Sequence, residues 1–352
     1  MSLDRARALG LRYPFEAPAN GTAIEVADGV LWIRMPLPMA LDHVNLYALD
    51  DGDSWTLIDA GVYSKRSVAL LEKILVGPLE GRPVSRLVLT HQHPDHVGAA
   101  GWFKARGAEI LTSRTAFLMS RMLILDEQPT ATPESIGFWT EAGMAPSIMQ
   151  KRMAERPFNF ADICHPLPVG YHRLQQGDVF YAGGRTWDIH VGHGHAPEHL
   201  TFWSRDDNLV IAGDQILPSI SPNVGVHATE PDADPLGDWM ESCERFQQLA
   251  RDEHFVLGGH KLPFTGLPLR MHQLIENHHG GLRRLLDHLD TPKTAVECFA
   301  PLFKRTIDGG TYGLALAEAV AHLNHLFQKG QVTRHQRDDG AWLWQRSETA
   351  DG

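Results

Sequence analysis

The sequence predicts an α/β fold in which sheet is covered by helices, interrupted by a helical insertion and ending in a small α+β module. Three observations predict it. Strand-like and helix-like segments alternate up to about residue 113, and strand-like text returns over 176–265. Residues 114–175 differ in character, being rich in Met and Pro with breaks at Pro129, Pro133, Pro146, Pro157, Pro166 and Pro168, and read as two or three inserted helices. The last segment, 266–352, runs helix, helix and then a hairpin, the outline of a winged helix. The expected division is therefore a main domain over 1–265 and a C-terminal winged-helix-like module over 266–352.

Each element has a local cause. Val30–Met35, Asn45–Leu49 and Trp55–Asp59 are β-branched and aromatic runs, cut by Asp-Gly turn signals at 28–29 and 51–52. Ser64–Val76 places apolar residues at 68, 70, 71, 74 and 75, one stripe of a helix. Arg86–Thr90 is a short buried strand, followed by His91–His96 and a Gly/Ala-rich helix through about Arg106; Glu109–Thr112 is the next strand. Beyond the insertion, Val179–Val191, Leu200–Ser204 and Leu209–Ala212 read as strands, 235–252 as a helix, and Phe255–Leu257 as a strand before the turn Gly258-Gly259-His260. A helix over 267–289 stops at Thr291-Pro292. Short helices over 293–303 and 312–329 then precede strands Val332–His335 and Trp342–Gln345, joined by Asp338-Asp339-Gly340.

Composition excludes several classes of function. The 352 residues are 43% hydrophobic and 21% charged, enough for a core and contrary to global disorder. No apolar run approaches the roughly 20 residues of a membrane span, and the opening MSLDRARALGLRYPFE has no apolar signal-peptide region, so no membrane role is expected. Cys164, Cys243 and Cys298 are odd in number and far apart, which excludes a disulfide framework or thiolate zinc knot and fits a cytoplasmic location. Cys164-His165 is no dyad, because sequence neighbours cannot face one another. A net charge of −11 speaks against a nucleic-acid partner. There is no nucleophile elbow, Walker loop or dinucleotide fingerprint.

The chemistry lies in the placing of histidines. His91-x-His93-x-Asp95-His96 packs four metal-competent side chains into six residues, after a buried strand and at the start of a helix. His91 and His93 are two apart on extended chain and point to one side. Asp95 and His96 lie where the chain turns into the helix, with Pro94 in its first turn, and can face a second position. A catalytic zinc takes three protein ligands and an open position, so one segment cannot complete a site. Further candidates stand just beyond strands: His193, His195 and His199 in one loop, Asp214 after Leu209–Ala212, and His260 after Phe255–Leu257.

This order, HQHPDH (91–96), GHAPEH (194–199), GD (213–214) and GGH (258–260) after an early LIDAG (57–61), resembles the metallo-β-lactamase fold superfamily over about residues 22–113 and 176–265. The resemblance implies an αββα sandwich, with a dinuclear site at one edge of a catalytic domain. It implies that His91, His93 and His195 bind one ion, that Asp95, His96 and His260 bind the other, and that Asp214 bridges them. His195 fits that family's G-H-x-x-x-H text, whereas His193 would need a two-residue shift. Asp59 is expected to hydrogen-bond a ligand imidazole and fix its tautomer, with His199 also behind the ligands. The all-nitrogen and oxygen donor set suits two divalent ions, zinc first, with iron and manganese open.

Two such ions roughly 3.5–4 Å apart would lower the pKa of a bridging water, leaving a metal-bridging hydroxide as nucleophile, with Asp95 orienting it or accepting the water's proton. The carboxylate-containing ligand set is similar to the glyoxalase II type. The C-terminal module is similar to that of the branch containing lactamase-like protein 2, a single-strand endoribonuclease, in segments such as AVAHLNHLFQKGQVTR (319–334). The expected activity is hydrolysis of a small carbonyl ester, an acyl thioester first and a lactone next. One alternative is an endoribonuclease or phosphodiesterase using Arg283, Arg284, Lys304, Arg305, Lys329, Arg334 and Arg337; another is a non-hydrolytic or inactive metal-binding member. Met119, Met122, Phe138, Trp139, Met144, Met149 and Met153 are candidates for an acyl pocket, and His43, Asn223 and His227 for substrate contacts. The insertion and the C-terminal helix offer surfaces for a homodimer.

Overall fold

A computed structural model describes residues 10–39, 41–303, 306–307 and 309–348; Lys304 and Arg305 of the basic set lie outside the described residues. These residues group into two compact units. The first falls within Met1–Glu127, Phe158–Pro222 and Gln247–Met271, the second within Gln128–Pro157, Asn223–Phe246 and His272–Gly352.

In the first unit β1 (Thr22–Ala27), β2 (Val30–Pro36), β3 (His43–Asp50) and β4 (Trp55–Ile58) form an antiparallel meander. The crossover helix α1 (Lys65–Val76) then returns the chain to β5 (Val84–Val88), parallel to β4. Ser64 starts α1, its hydroxyl accepting from the Ser67 N–H at 3.0 Å. Two short helices, α2 (Pro94–Val97) and α3 (Ala100–Lys104), lead to β6 (Glu109–Thr112). The insertion holds α4 (Arg114–Leu125), α5 (Pro133–Glu141) and α6 (Pro146–Ala154) before β7 (His172–Arg173) completes a seven-stranded sheet ordered β1 to β7. The second sheet is built from β8 (Val179–Ala182), β9 (Arg185–Gly192), β10 (His199–Ser204) and β11 (Leu209–Gly213). After α7 (Pro235–Leu249), β12 (Phe255–Gly258) joins it parallel to β11.

Period-two alternation decides which side chain goes where. Trp32, Tyr47, Leu49 and Ile58 of the first sheet form one core with Phe180, Trp187, Ile189, Phe202 and Ile211 of the second. Their sequence neighbours Ile33, Leu46, Ala48 and Leu57 pack on the other face against Leu71 and Ile74 of α1 and Trp102 and Phe103 of α3. The first sheet is thus buried on both faces.

Two boundaries differ from the sequence reading. The run Val179–Val191 is a hairpin, turning at Gly183 and Gly184, whose φ values of 61° and 67° suit a two-residue loop. The single helix expected from Pro94 to about Arg106 breaks at Gly98-Ala99. There the Ala99 N–H donates to the Gly61 carbonyl at 2.9 Å, and a Cβ on Gly98 would lie 2.7 Å from the carbonyl oxygens of Gly61 and Ile163. The packing of distant chain on this turn, not local propensity, ends the helix.

The second unit takes in α5, α6 and most of α7 and α8 (Leu267–His288). It continues through α9 (Phe299–Leu302), α10 (Tyr312–Gln328) and the hairpin β13 (Val332–Gln336) and β14 (Trp342–Arg346). In its interior the Nδ1 of His278 donates to the Nε2 of His322 at 3.3 Å, and the Nδ1 of His322 donates to the Glu318 carbonyl at 2.7 Å. Burial pushes His278 down to about 3 and His322 to about 4, so both are neutral in the folded chain. Unfolding then takes up protons below the ordinary value of 6.5, and the stability present above that pH is lost as pH falls toward 4. The expected slope from the pair is up to about 2.7 kcal/mol per pH unit. Unfolding midpoints between pH 4 and 7 should show it, and His278→Phe should flatten it.

No helix among the described residues is long and apolar enough to cross a membrane.

Candidate metal centre

The strand ends of the first unit deliver the candidate ligands. Asp59 follows β4, His91–His96 follow β5, His195 lies in the β9–β10 loop, Asp214 follows β11 and His260 follows β12. Three groups place their ligand atoms within 4.8 Å of one another: His91, His93 and His195; His91, His96 and Asp214; and Asp95, His96 and His260. Asp214 reaches both sides. Its Oδ2 is 3.6 Å from His195 Nε2 and 3.1 Å from His260 Nε2, and its Oδ1 is 3.5 Å from His96 Nε2.

Bonds behind the imidazoles aim their other nitrogens inward. His96 Nδ1 donates to Asp59 Oδ2 at 2.8 Å, and His260 Nδ1 donates to the His43 carbonyl at 2.7 Å. His91 Nδ1 donates to Thr90 Oγ1 at 2.9 Å, and that hydroxyl donates to Asp59 Oδ2 at 2.9 Å. Asp59 therefore holds His96 directly and His91 through Thr90, while its Oδ1 accepts the Thr90 N–H at 2.8 Å. Asp59, Glu198 and Lys261 are non-glycine residues at positive φ (62°, 50° and 68°); Asp59 itself supports this cluster, and Glu198 and Lys261 stand one step from His199 and His260. Such conformations cost roughly 1–3 kcal/mol each and persist where surrounding bonds fix them.

The charges divide the cluster in two. Burial, reinforced by neighbouring imidazoles, holds His91 far below its ordinary value and His93 at about 3. In the other half burial also lowers the imidazoles and raises the Asp95 carboxyl, but the ion pairs win. His96 and His260 hold Asp95 at about 2, while Asp214 and Asp95 lift His260 to about 10 and His96 well above its ordinary value. The fit to cations rests on two buried atoms: His96 Nε2 and Asp214 Oδ1 make no hydrogen bond, a costly arrangement unless an ion takes the space between donors.

Residues 39–114 and 135–260 match the metallo-beta-lactamase superfamily, and residues 282–347 match the metallo-beta-lactamase-like C-terminal domain. The chain belongs to the metallo-beta-lactamase superfamily. A beta-lactamase domain protein from Burkholderia ambifaria is similar in structure, with a TM-score of 0.89 and 34% identity over 97% of this chain and 100% of that one. A metallo-beta-lactamase family protein from Thermus thermophilus gives 0.77 and 28%, covering 92% of this chain and 100% of its own. The probable metallo-hydrolase YqjP of Bacillus subtilis (strain 168) is 26% identical over 321 residues, 88% of this chain and 95% of that protein.

Around this cluster the remaining expected residues take distinct places. His199 stacks on His91 with centroids 4.6 Å apart, and its Nε2 accepts the Asp214 N–H at 3.1 Å. His193 accepts the Glu198 N–H at 3.3 Å and is in none of the three groups. His43 has both ring nitrogens engaged, Nδ1 with Asp42 at 2.6 Å and Nε2 accepting the Lys261 N–H at 2.9 Å, and burial pulls it down to about 4. Asn223 and His227 belong to the second unit, where Asn223 donates to Glu318 at 3.0 Å. Of the expected acyl-pocket residues, Met119 and Met122 are in the first unit and Phe138, Trp139, Met144, Met149 and Met153 in the second; Met122 and Met153 are exposed.

Sequence reasoning passed over Thr90, for which a hydroxyl residue directly before the first histidine was the available signal. Asp59→Asn keeps the side chain's shape but offers an amide where His96 needs an acceptor. It is expected to weaken metal binding by about 10–100-fold, as lost partners of ligating histidines do. Competition against a chromophoric chelator measures this.

Proposed function

We propose that the chain is a two-metal hydrolase of a small carbonyl ester, an acyl thioester first and a lactone next. The observation that carries the reading is Asp214, whose two oxygens lie within 3.6 Å of ring nitrogens from both halves of the cluster. His91, His93 and His195 would hold one ion and Asp95, His96 and His260 the other, with Asp214 between them. Divalent ions held there, zinc first, would supply a water of lowered pKa and polarise the carbonyl oxygen of the ester. Asp95 is 16% exposed against 9% for Asp214 and 0% for His96, so it is the carboxylate best placed to orient that water and take its proton. Asp59 and the His43 carbonyl keep the ligand tautomers fixed throughout. The name of YqjP, a probable metallo-hydrolase, supports the reaction class.

The basic residues of the second unit favour the ester reading over the endoribonuclease. Arg334 pairs with Asp232 at 2.9 Å and lies over Trp342 and Trp344, and Arg337 pairs with Asp339 at 2.7 Å. Arg284 donates to the Pro301 and Gly280 carbonyls. Arg334 and Arg337 thus already face carboxylates, and a chain of net −11 is ill suited to a phosphate backbone.

The test is metal analysis together with thioester, lactone and phosphodiester substrates. Two ions per chain and ester cleavage abolished by chelation are expected. Less than one ion and no ester cleavage overturns the reading, and phosphodiester cleavage alone transfers it to the second class.

A further inference from the structure

We infer that Asn45 is the positioning residue that seats His260 and thereby makes the Asp95–His96–His260 half able to hold its ion. This rests on the two-ion reading above. His43, Asn45 and Tyr47 alternate along β3, and all three reach the Gly258–Lys261 segment that leaves β12 in the other sheet. The Asn45 side-chain amide donates to the Gly258 carbonyl at 2.9 Å and to the Lys261 carbonyl at 2.8 Å, while its backbone N–H donates to the Gly259 carbonyl at 2.7 Å. Tyr47 adds an O–H bond to the Gly258 carbonyl at 2.8 Å. One side chain thus spans the residues on both sides of His260 and holds the left-handed Lys261 by its carbonyl.

Two features mark this as more than packing. Asn45 is 1% exposed on a strand whose other buried positions are largely apolar, a costly place for an amide unless its hydrogen bonds matter. Its use is also one-sided: both N–H groups are spent on carbonyls, and Oδ1 is buried without a hydrogen bond. What the segment requires at this point is a double donor. An aspartate of the same shape would set carboxylate oxygens against two carbonyl oxygens.

The experiment compares the wild type with Asn45→Asp and Tyr47→Phe, counting bound metal after desalting and recording the visible spectrum of the cobalt-substituted proteins. Wild type should hold two ions; fewer than two overturns the two-ion reading itself, independently of the variants. Asn45→Asp should hold about one ion, lose the cobalt absorption of one site and keep that of the other. Two ions with an unchanged cobalt spectrum overturns the assignment. Should Asn45→Asp fail to fold, Tyr47→Phe decides. Loss of its single bond should weaken the second ion by about 3–10-fold and leave the first unchanged. Equal weakening of both ions, or of neither, overturns the inference, because a general loss of packing would not select one site.

Discussion

Asp214→Ala should abolish most hydrolysis and reduce bound metal from two ions per chain to one or none. Partners that merely orient a metal ligand cost 10–100-fold when removed, so on the proposed reading, in which Asp214 serves both ions, its loss should cost more than about 100-fold. The electrostatics point the same way. Asp214 leads the charges that lift His96 and His260 against burial, so without it the metal-free site loses the counter-charge holding their protons. Metal counting and steady-state kinetics on one preparation test this together. A variant that kept two ions and turned over within tenfold of wild type would remove Asp214 from the centre of the site. Asp214→Asn, which keeps the shape and drops the charge, should behave like the alanine variant if charge is what matters.

Gly259→Ala should be nearly as damaging although it removes nothing. A Cβ at this position would overlap Asp214 Oδ1 and stand 2.8 Å from His96 Cε1. Neither neighbour can retreat easily. His96 is pinned by Asp59, and the other oxygen of the Asp214 carboxylate lies 3.1 Å from His260 Nε2 and 3.6 Å from His195 Nε2. The methyl group therefore pushes on the carboxylate between the two halves. Misplacement of about 1 Å at such a point can cost about 100-fold in rate, with about 1–3 kcal/mol of overpacking in stability. The readouts are turnover at saturating metal and the unfolding midpoint of the metal-free protein. A fully active variant would show that Asp214 has room to move.

Much of this site is legible in the sequence because its chemistry is local. HQHPDH carries four donors within six residues, and a strand followed by a proline-started helix fixes which way they face. Asp214 and His260 could be picked out for a related reason, as each follows a short apolar strand and a glycine. What stayed hidden depends on contact between distant residues. Asn45 reads as an unremarkable strand residue until its partner Gly258, 213 positions away, is brought beside it. Thr90 matters only because Asp59 curls back in a left-handed conformation to meet it. The break at Gly98-Ala99 is set by carbonyls from residues 61 and 163. The proline punctuation of the insertion makes two or three helices legible, and α5 and α6 do start at Pro133 and Pro146. Nothing in that text shows that 128–157 would group with the second unit while 114–127 and 158–175 stay with the first.

The interleaving of the candidate ligands across two sheets bears on the lifetime of the fold. His91, His93, Asp95 and His96 leave a strand of the seven-stranded sheet, whereas His195, Asp214 and His260 leave strands of the five-stranded one. Ions bound among them would act as crosslinks at one end of the sandwich, closing loops that run from residue 91 to residue 260. At free metal about 1,000-fold above the dissociation constant, one such ion adds about 4 kcal/mol to the stability of the folded chain. Stripping the metal should therefore leave a sandwich that opens from the histidine edge, where proteases and hydrogen exchange would find it first.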